Sequence, residues 1–184
     1  MGFTAAWLLA AGLLVALYAT FGRITGPSFA GVLVDNRQRY SLNHLQIAIW
    51  TVLVIATLIA AFVSSGFDVS ALEIPQPLLV LMGISVASGV AAAAVKSRKD
   101  SDKAHIARGN AKPSQVFLEE EGGSANQAVS ITKFQGFIFT LVAATAYVVL
   151  ALKAQDYPEL PEQVLWLVGI SQAGYVAGKI PPVA

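Results

Sequence analysis

The side chains that could do chemistry inside this chain's apolar runs are amides and hydroxyls, and they come in matched pairs. Residues 41–51 read Ser-Leu-Asn-His-Leu-Gln-Ile-Ala-Ile-Trp-Thr, and residues 130–140 read Ser-Ile-Thr-Lys-Phe-Gln-Gly-Phe-Ile-Phe-Thr. Gln46 and Gln135 therefore sit at equivalent places, with Trp50 and Phe139 four residues on and so on the same helical face. An amide in an apolar run needs a hydrogen-bond partner, and a bond to a neighbouring helix contributes about 0.6–2 kcal/mol. Two chemistries fit. The glutamines can clasp the two units, or two subunits, together. Alternatively they can form a polar ring at the mouth of a pore, with Thr51, Ser85, Ser88, Thr140, Ser171 and Gln172 as further uncharged lining.

Other chemistries lack their residues. There is no cysteine, which excludes disulfides, thiolate nucleophiles and cysteine-held zinc or iron–sulfur clusters. His44 and His105 have no second ligand at metal-binding spacing. The glycines form no phosphate-binding pattern, and no nucleophile–base pair or paired carboxylates fall in a plausible pocket. No Asp, Glu, Lys, Arg or His lies in the centre of an apolar run, which argues against proton relays, ion-coupled carriers and voltage sensors. The expectation is a protein that is not an enzyme, with no cofactor, no metal and no nucleic-acid partner.

The elements that must position these residues are membrane helices. The mean hydropathy is +0.63 and only 12% of residues are charged, against roughly 25% in soluble domains. Five apolar runs approach the length of about 20 residues that a crossing helix needs: 3–18, 45–64, 78–95, 134–152 and 164–178. The first lacks the positive flank of a signal peptide and is read as an anchor. The fifth is short; its match to the third favours a span, with a re-entrant half-helix as the alternative. That match is a second repeated block. Pro75, Leu79, Leu81, Gly83, Ile84 and Ser85 recur as Pro161, Leu165, Leu167, Gly169, Ile170 and Ser171. The expected fold is an all-α integral membrane protein: an N-terminal helix (1–22), a first repeat (23–95), a cytoplasmic linker with a short amphipathic helix (96–129), and a second repeat (130–184). The two helical hairpins are parallel repeats related by an axis along the membrane normal.

Lysine and arginine in the connecting segments give an orientation. Eleven of the twelve fall on one side, and only Lys153 on the other, which carries Asp68, Glu73, Asp156, Glu159 and Glu162 instead. The N-terminus is expected outside and the C-terminus in the cytoplasm. Small residues at Gly83, Ser85 and Gly89 in the third run, and at Gly169, Ser171, Gly174 and Gly178 in the fifth, allow close helix approach. They make those two runs the expected interior pair. Ser41 and Ser130 are expected N-caps. In the linker, Pro113 to Gly123 reads as the short helix, which either lies on the cytoplasmic membrane surface or docks a cytoplasmic protein partner; in the second reading Phe117, Leu118 and Glu119, with Arg37 and Arg39, are the docking residues.

The segments Asn-Arg-x-Arg-Tyr-Ser-Leu-x-x-Leu-Gln-x-x-x-Trp-Thr from Asn36, Leu-x-Gly-Ile-Ser-x-Ala-Ser, Phe-Leu-Glu-Glu-Glu, Phe-x-Phe-Thr after Gln135, and Gly-Ile-Ser-Gln-Ala-Gly-Tyr resemble a family of uncharacterised bacterial multi-pass membrane proteins, over most of residues 31–180. The resemblance implies a bacterial cytoplasmic-membrane protein and implies no functional residues. The residues themselves favour a scaffold or anchor, homo-oligomeric or part of a larger membrane complex, with the uncharged pore as alternative.

Overall fold

A computed structural model describes residues 1–26, 28–101, 111–120 and 124–177. Among these the chain is all-helical, with no strand and five helices: α1 (Phe3–Thr25), α2 (Leu42–Ser64), α3 (Gln76–Ser101), α4 (Ile131–Ala154) and α5 (Glu162–Ala177). In lipid a helix satisfies its backbone within itself, and these apolar runs have no proline beyond a first turn. Pro77 opens α3, where its missing N–H is not needed. Four helices are long and apolar enough to cross a membrane. The fifth, α5, has 16 residues, or about 24 Å at the helical rise, short of the roughly 30 Å of hydrocarbon. Large apolar side chains cover the outside, among them Leu9, Leu13 and Phe21 on α1, Val86 and Val90 on α3, Leu141 and Val142 on α4, and Trp166 on α5. That inverted surface, with the long apolar helices, fits a membrane location.

The helix at the centre is α2, which packs on α1, α3 and α4, while α5 packs on α3 and α4. Thus α2, α3, α5 and α4 neighbour one another in that cyclic order, and α1 lies against α2. The small-residue runs predict α3 and α5 as the interior pair; they do pack together, but α2 is the buried helix. In its apolar window 39% of residues are buried, against 18% in the segment that holds α3. Bulk decides this. Trp50, Val54, Ala56 and Ala60 of α2 fill the interior with Leu78, Leu81 and Tyr147, whereas a Cβ added at Gly83 or Gly174 would meet nothing. Gly89 does sit at a tight crossing, about which Asn43 and Ile47 of α2 close to 3.0 and 3.1 Å of an added Cβ.

The linker differs from its expected form. Helix α3 continues through Lys96 to Ser101. The amphipathic helix predicted from Pro113 is a single 3-10 turn, Pro113–Val116, because Leu118 pairs with Val129 and leaves the helical path. The tightest glycine contacts are ones the small-residue patterns did not include. Gly22 and Gly26 at the end of α1 receive the following turn so closely that a Cβ on Gly22 would overlap the Phe29 carbonyl oxygen and lie 2.8 Å from Gly31 N.

Candidate functional site

Among the described residues the buried charged side chains gather where α2 and α4 begin. Each helix is entered through the same backbone device. A 3-10 turn (Gly31–Leu33, Pro113–Val116) leads to one antiparallel bridge (Val34 with Tyr40, Leu118 with Val129) and then to the serine before the helix. In the first entry Ser41 N donates to Leu33 O and Asp35 N to Arg39 O, both at 2.8 Å. In the second, Ser130 N donates to Phe117 O at 2.8 Å and Glu119 N to Ala128 O at 3.0 Å. The caps then diverge. Ser41 Oγ accepts from His44 N at 3.5 Å, whereas Ser130 Oγ meets Thr132 Oγ1 at 3.2 Å and caps no backbone N–H.

The two entry loops carry opposite charges and close on each other. Asp35 Oδ1 accepts from the backbone of Arg37 (2.9 Å) and Arg39 (3.2 Å), which tightens the first loop and directs both guanidinium groups toward the second. Arg39 donates to Asn126 Oδ1, and to Glu119 O at 3.2 Å. Lys133, in the first turn of α4, donates to Glu120 Oε1 and to Leu118 O, both at 2.8 Å, and Arg37 lies 3.7 Å from the other Glu120 oxygen. Gln115 Oε1 accepts from Lys112 N at 2.9 Å and from Tyr40 N at 3.3 Å. Arg37, Arg39, Glu120 and Lys133 are all at most 6% exposed. Burial lowers the pKa of the Arg39 guanidinium, opposed by the fields of Glu120 and Asp35 and reinforced by Arg37. Burying charges is costly unless they are paired and hydrogen-bonded, and this arrangement supplies both.

These contacts place the predicted docking residues. Arg37 and Arg39 are not offered to a partner, since they are buried against this chain's own second loop. Phe117 packs edge-on against Phe134 and Phe137, with centroids 6.1 and 5.1 Å apart. Leu118 and Glu119 are half-buried, and their carbonyls accept from Lys133 and Arg39.

The paired glutamines part company. Gln46 is buried and its Nε2 donates to Thr140 Oγ1 at 2.7 Å and to Gly136 O at 3.3 Å, tying α2 to α4. Gln135 is exposed and does not face it. The two helices meet through non-equivalent faces, so within one chain the two glutamines do not clasp each other. Trp50 stacks edge-on with Tyr147 at 6.2 Å, and Phe139 is half-buried. Gly169 approaches Ile84 of α3 at 3.9 Å of an added Cβ. The side chains of Ser85 and Ser171, and all of Gly178, lie outside the described residues. Asp35, Gln115, Glu120, Asn126 and Lys133 were missed by the sequence reading. Their signal was an Arg-x-Arg run just before one matched serine and a glutamate run before the other. No family model, curated protein or solved structure matches this chain.

Proposed function

We propose that this chain is a non-enzymatic scaffold or anchor subunit of a larger assembly in the bacterial cytoplasmic membrane, built from two duplicated helical hairpins. The observation that carries this reading is the use of its polar groups. The buried charges join loop to loop and the buried amide joins helix to helix, while the helix faces left exposed among the described residues carry large apolar side chains. A rigid, charge-locked end and an apolar periphery suit a component that holds position in a complex. The matched hydrogen bonds at the two helix entries support the duplication. An uncharged pore is favoured by no comparable observation, since Gln46 and Thr140 bond to each other.

The test is purification in gentle detergent at native expression, with native mass and identification of co-eluting proteins. A defined assembly with other membrane proteins is expected. A lone homo-oligomer that conducts in planar bilayers, with conductance altered in Gln46→Leu, would overturn the scaffold. The orientation, N-terminus outside and C-terminus cytoplasmic, is tested on this cysteine-free chain by single cysteines at exposed Ser70 and Ser114. An impermeant maleimide should label Ser70→Cys in intact cells and Ser114→Cys only after permeabilisation; the opposite pattern reverses the topology.

A further inference from the structure

The loop between α2 and α3, residues 65–75, exposes large apolar side chains although it belongs to no membrane-length helix. Phe67 is 65% exposed, Val69 72% and Leu72 40%. The backbone fixes Phe67: its φ is +68°, a conformation that bulky residues seldom adopt. Its N–H donates to Phe62 O at 2.9 Å, and its ring meets Phe62 edge-on with centroids 5.3 Å apart. The 3-10 turn Val69–Leu72 follows, closed by Asp68 Oδ1 on Ser70 N, and Tyr157 Oη ties it to the other hairpin through Ala71 O. The neighbouring loop between α4 and α5 differs, since its Leu160 is buried and its Tyr157 half-buried. The level of the first loop follows from α2. The apolar run 45–64 spans about 30 Å at the helical rise, which matches the roughly 30 Å of hydrocarbon. With Leu45 at one boundary of the hydrocarbon, Ser64 and the loop after it stand at the opposite one.

We propose that this loop binds the lipid surface: Phe67, Val69 and Leu72 enter the boundary between headgroups and acyl chains, while Asp68, Ser70 and Glu73 stay in water. The inference rests on the membrane location proposed above. Two features select lipid over a covering protein. The first is the level just derived, which sets the loop where the acyl boundary lies. The second is charge. Exposed Asp68 and Glu73 adjoin the apolar side chains in the chain, so a protein that covered the loop would bury both carboxylates, which is costly without cations to pair them. A membrane interface takes both kinds of side chain, because water and hydrocarbon meet there within a few ångströms. Ala71 and Ile74 of the same loop pack on the bundle's core. The immersed turn is therefore coupled to the helices and sets the depth at which the first hairpin sits.

The chain has no cysteine, so a nitroxide on a single introduced cysteine reports one position. The full chain is reconstituted in phosphatidylcholine vesicles with the label at Val69→Cys, Leu72→Cys or Ser70→Cys, all exposed. Leu13→Cys, exposed within the apolar run of α1, serves as the lipid reference, and Ser114→Cys as the water reference. Collisions with oxygen, which concentrates in lipid, and with a water-soluble nickel chelate are read by power saturation. The oxygen-to-nickel ratio at Val69→Cys and Leu72→Cys should shift from the Ser114→Cys value toward that of Leu13→Cys, and Ser70→Cys should stay with Ser114→Cys. Ratios at Val69→Cys and Leu72→Cys equal to the water reference would overturn the proposal. So would protection from both reagents, which would mean a second protein copy covers the loop, or a Ser70→Cys ratio as lipid-like as its neighbours. Should one labelled chain not fold, the other apolar position decides. A water-like Leu13→Cys would refute the membrane reading itself, whereas a lipid-like Leu13→Cys with a water-like Val69→Cys refutes only the immersion of the loop.

Discussion

The two ends of the helical bundle are held by different physics. At the end where α2 and α4 begin, two loops far apart in sequence are joined by buried charges: Arg37, Arg39 and Lys133 against Glu120, with Asp35 shaping the first loop. At the other end the connections are thinner. Tyr157 Oη donates to Ala71 O at 3.0 Å, and Gln155 Nε2 donates to Thr4 Oγ1 at 2.8 Å. There the loops fold mainly on themselves, with Asp68 accepting from Ser70 N at 2.9 Å and Gly66 at a φ of +77°. The difference teaches where the tertiary arrangement is specified. Charges removed from water must find one geometry or pay heavily in desolvation, so the charged end sets how the hairpins meet. Single neutral hydrogen bonds near water contribute about 0.5–1.5 kcal/mol each, and the other end follows.

That contrast can be broken at several points. The largest effect is expected from Glu120→Ala, which leaves Lys133 and Arg37 buried without this counter-charge. A loss of about 3–5 kcal/mol is expected in detergent unfolding, and a change under 1 kcal/mol would mean the charges hydrate freely. Glu120→Leu combined with Lys133→Met should be less damaging than the sum of the single changes, because the two residues are coupled. Next comes Gly22→Ala, whose added methyl meets backbone rather than a movable side chain. A cost of about 1–3 kcal/mol in the same assay is expected, and none would show that the turn moves aside. Gln46→Leu removes the bonds to α4 and should cost about 0.6–2 kcal/mol, while Gln135→Leu, on an exposed face, should cost nothing measurable. Equal effects would restore the symmetric clasp. At the thin end, Tyr157→Phe should cost about 1 kcal/mol, well below Glu120→Ala; parity between them would erase the distinction between the ends.

The smallest effect is a pH effect. The backbone N–H of Ser70 lowers the Asp68 carboxyl from its ordinary value. A folded-state pKa below the unfolded one stabilises the turn above the ordinary carboxylate range of about 4 and loses that stabilisation as pH falls through the depressed value. Hydrogen exchange at Ser70, corrected for the intrinsic rate at each pH, should show less protection at low pH than at neutral pH. Protection unchanged by acid would show that the carboxylate does not hold this turn.

Much of the fold was legible because long apolar runs have few other uses. The helices containing Trp50, Leu81 and Tyr147 follow from run length alone, and Gln46 stood out as an amide that must find a partner. What misled was local pattern read without volume. Gly83 and Gly174 look like packing faces, yet they lie on open surface, while Gly22, Gly26 and Gly31 meet in a close turn because the chain reverses there. Phe117 to Glu119 read as a helix, since backbone pairing with residues 128 and 129 leaves no periodic trace in composition.

Arg37 and Arg39 show the same division most clearly. Charges in a segment next to a membrane helix read as solvated or offered to a partner, because nothing local says that a glutamate some eighty residues away will cover them. By itself the sequence determined that there are apolar helices, roughly where they begin and end, and which of their residues are polar, because hydrogen-bonding and hydrophobicity act residue by residue. Only the tertiary structure decided that α2 is central, that Gln46 takes Thr140 rather than Gln135, and that the two oppositely charged loops close on each other. Those outcomes depend on how side-chain volumes and opposite charges fit across long sequence separations, and no local rule carries that information.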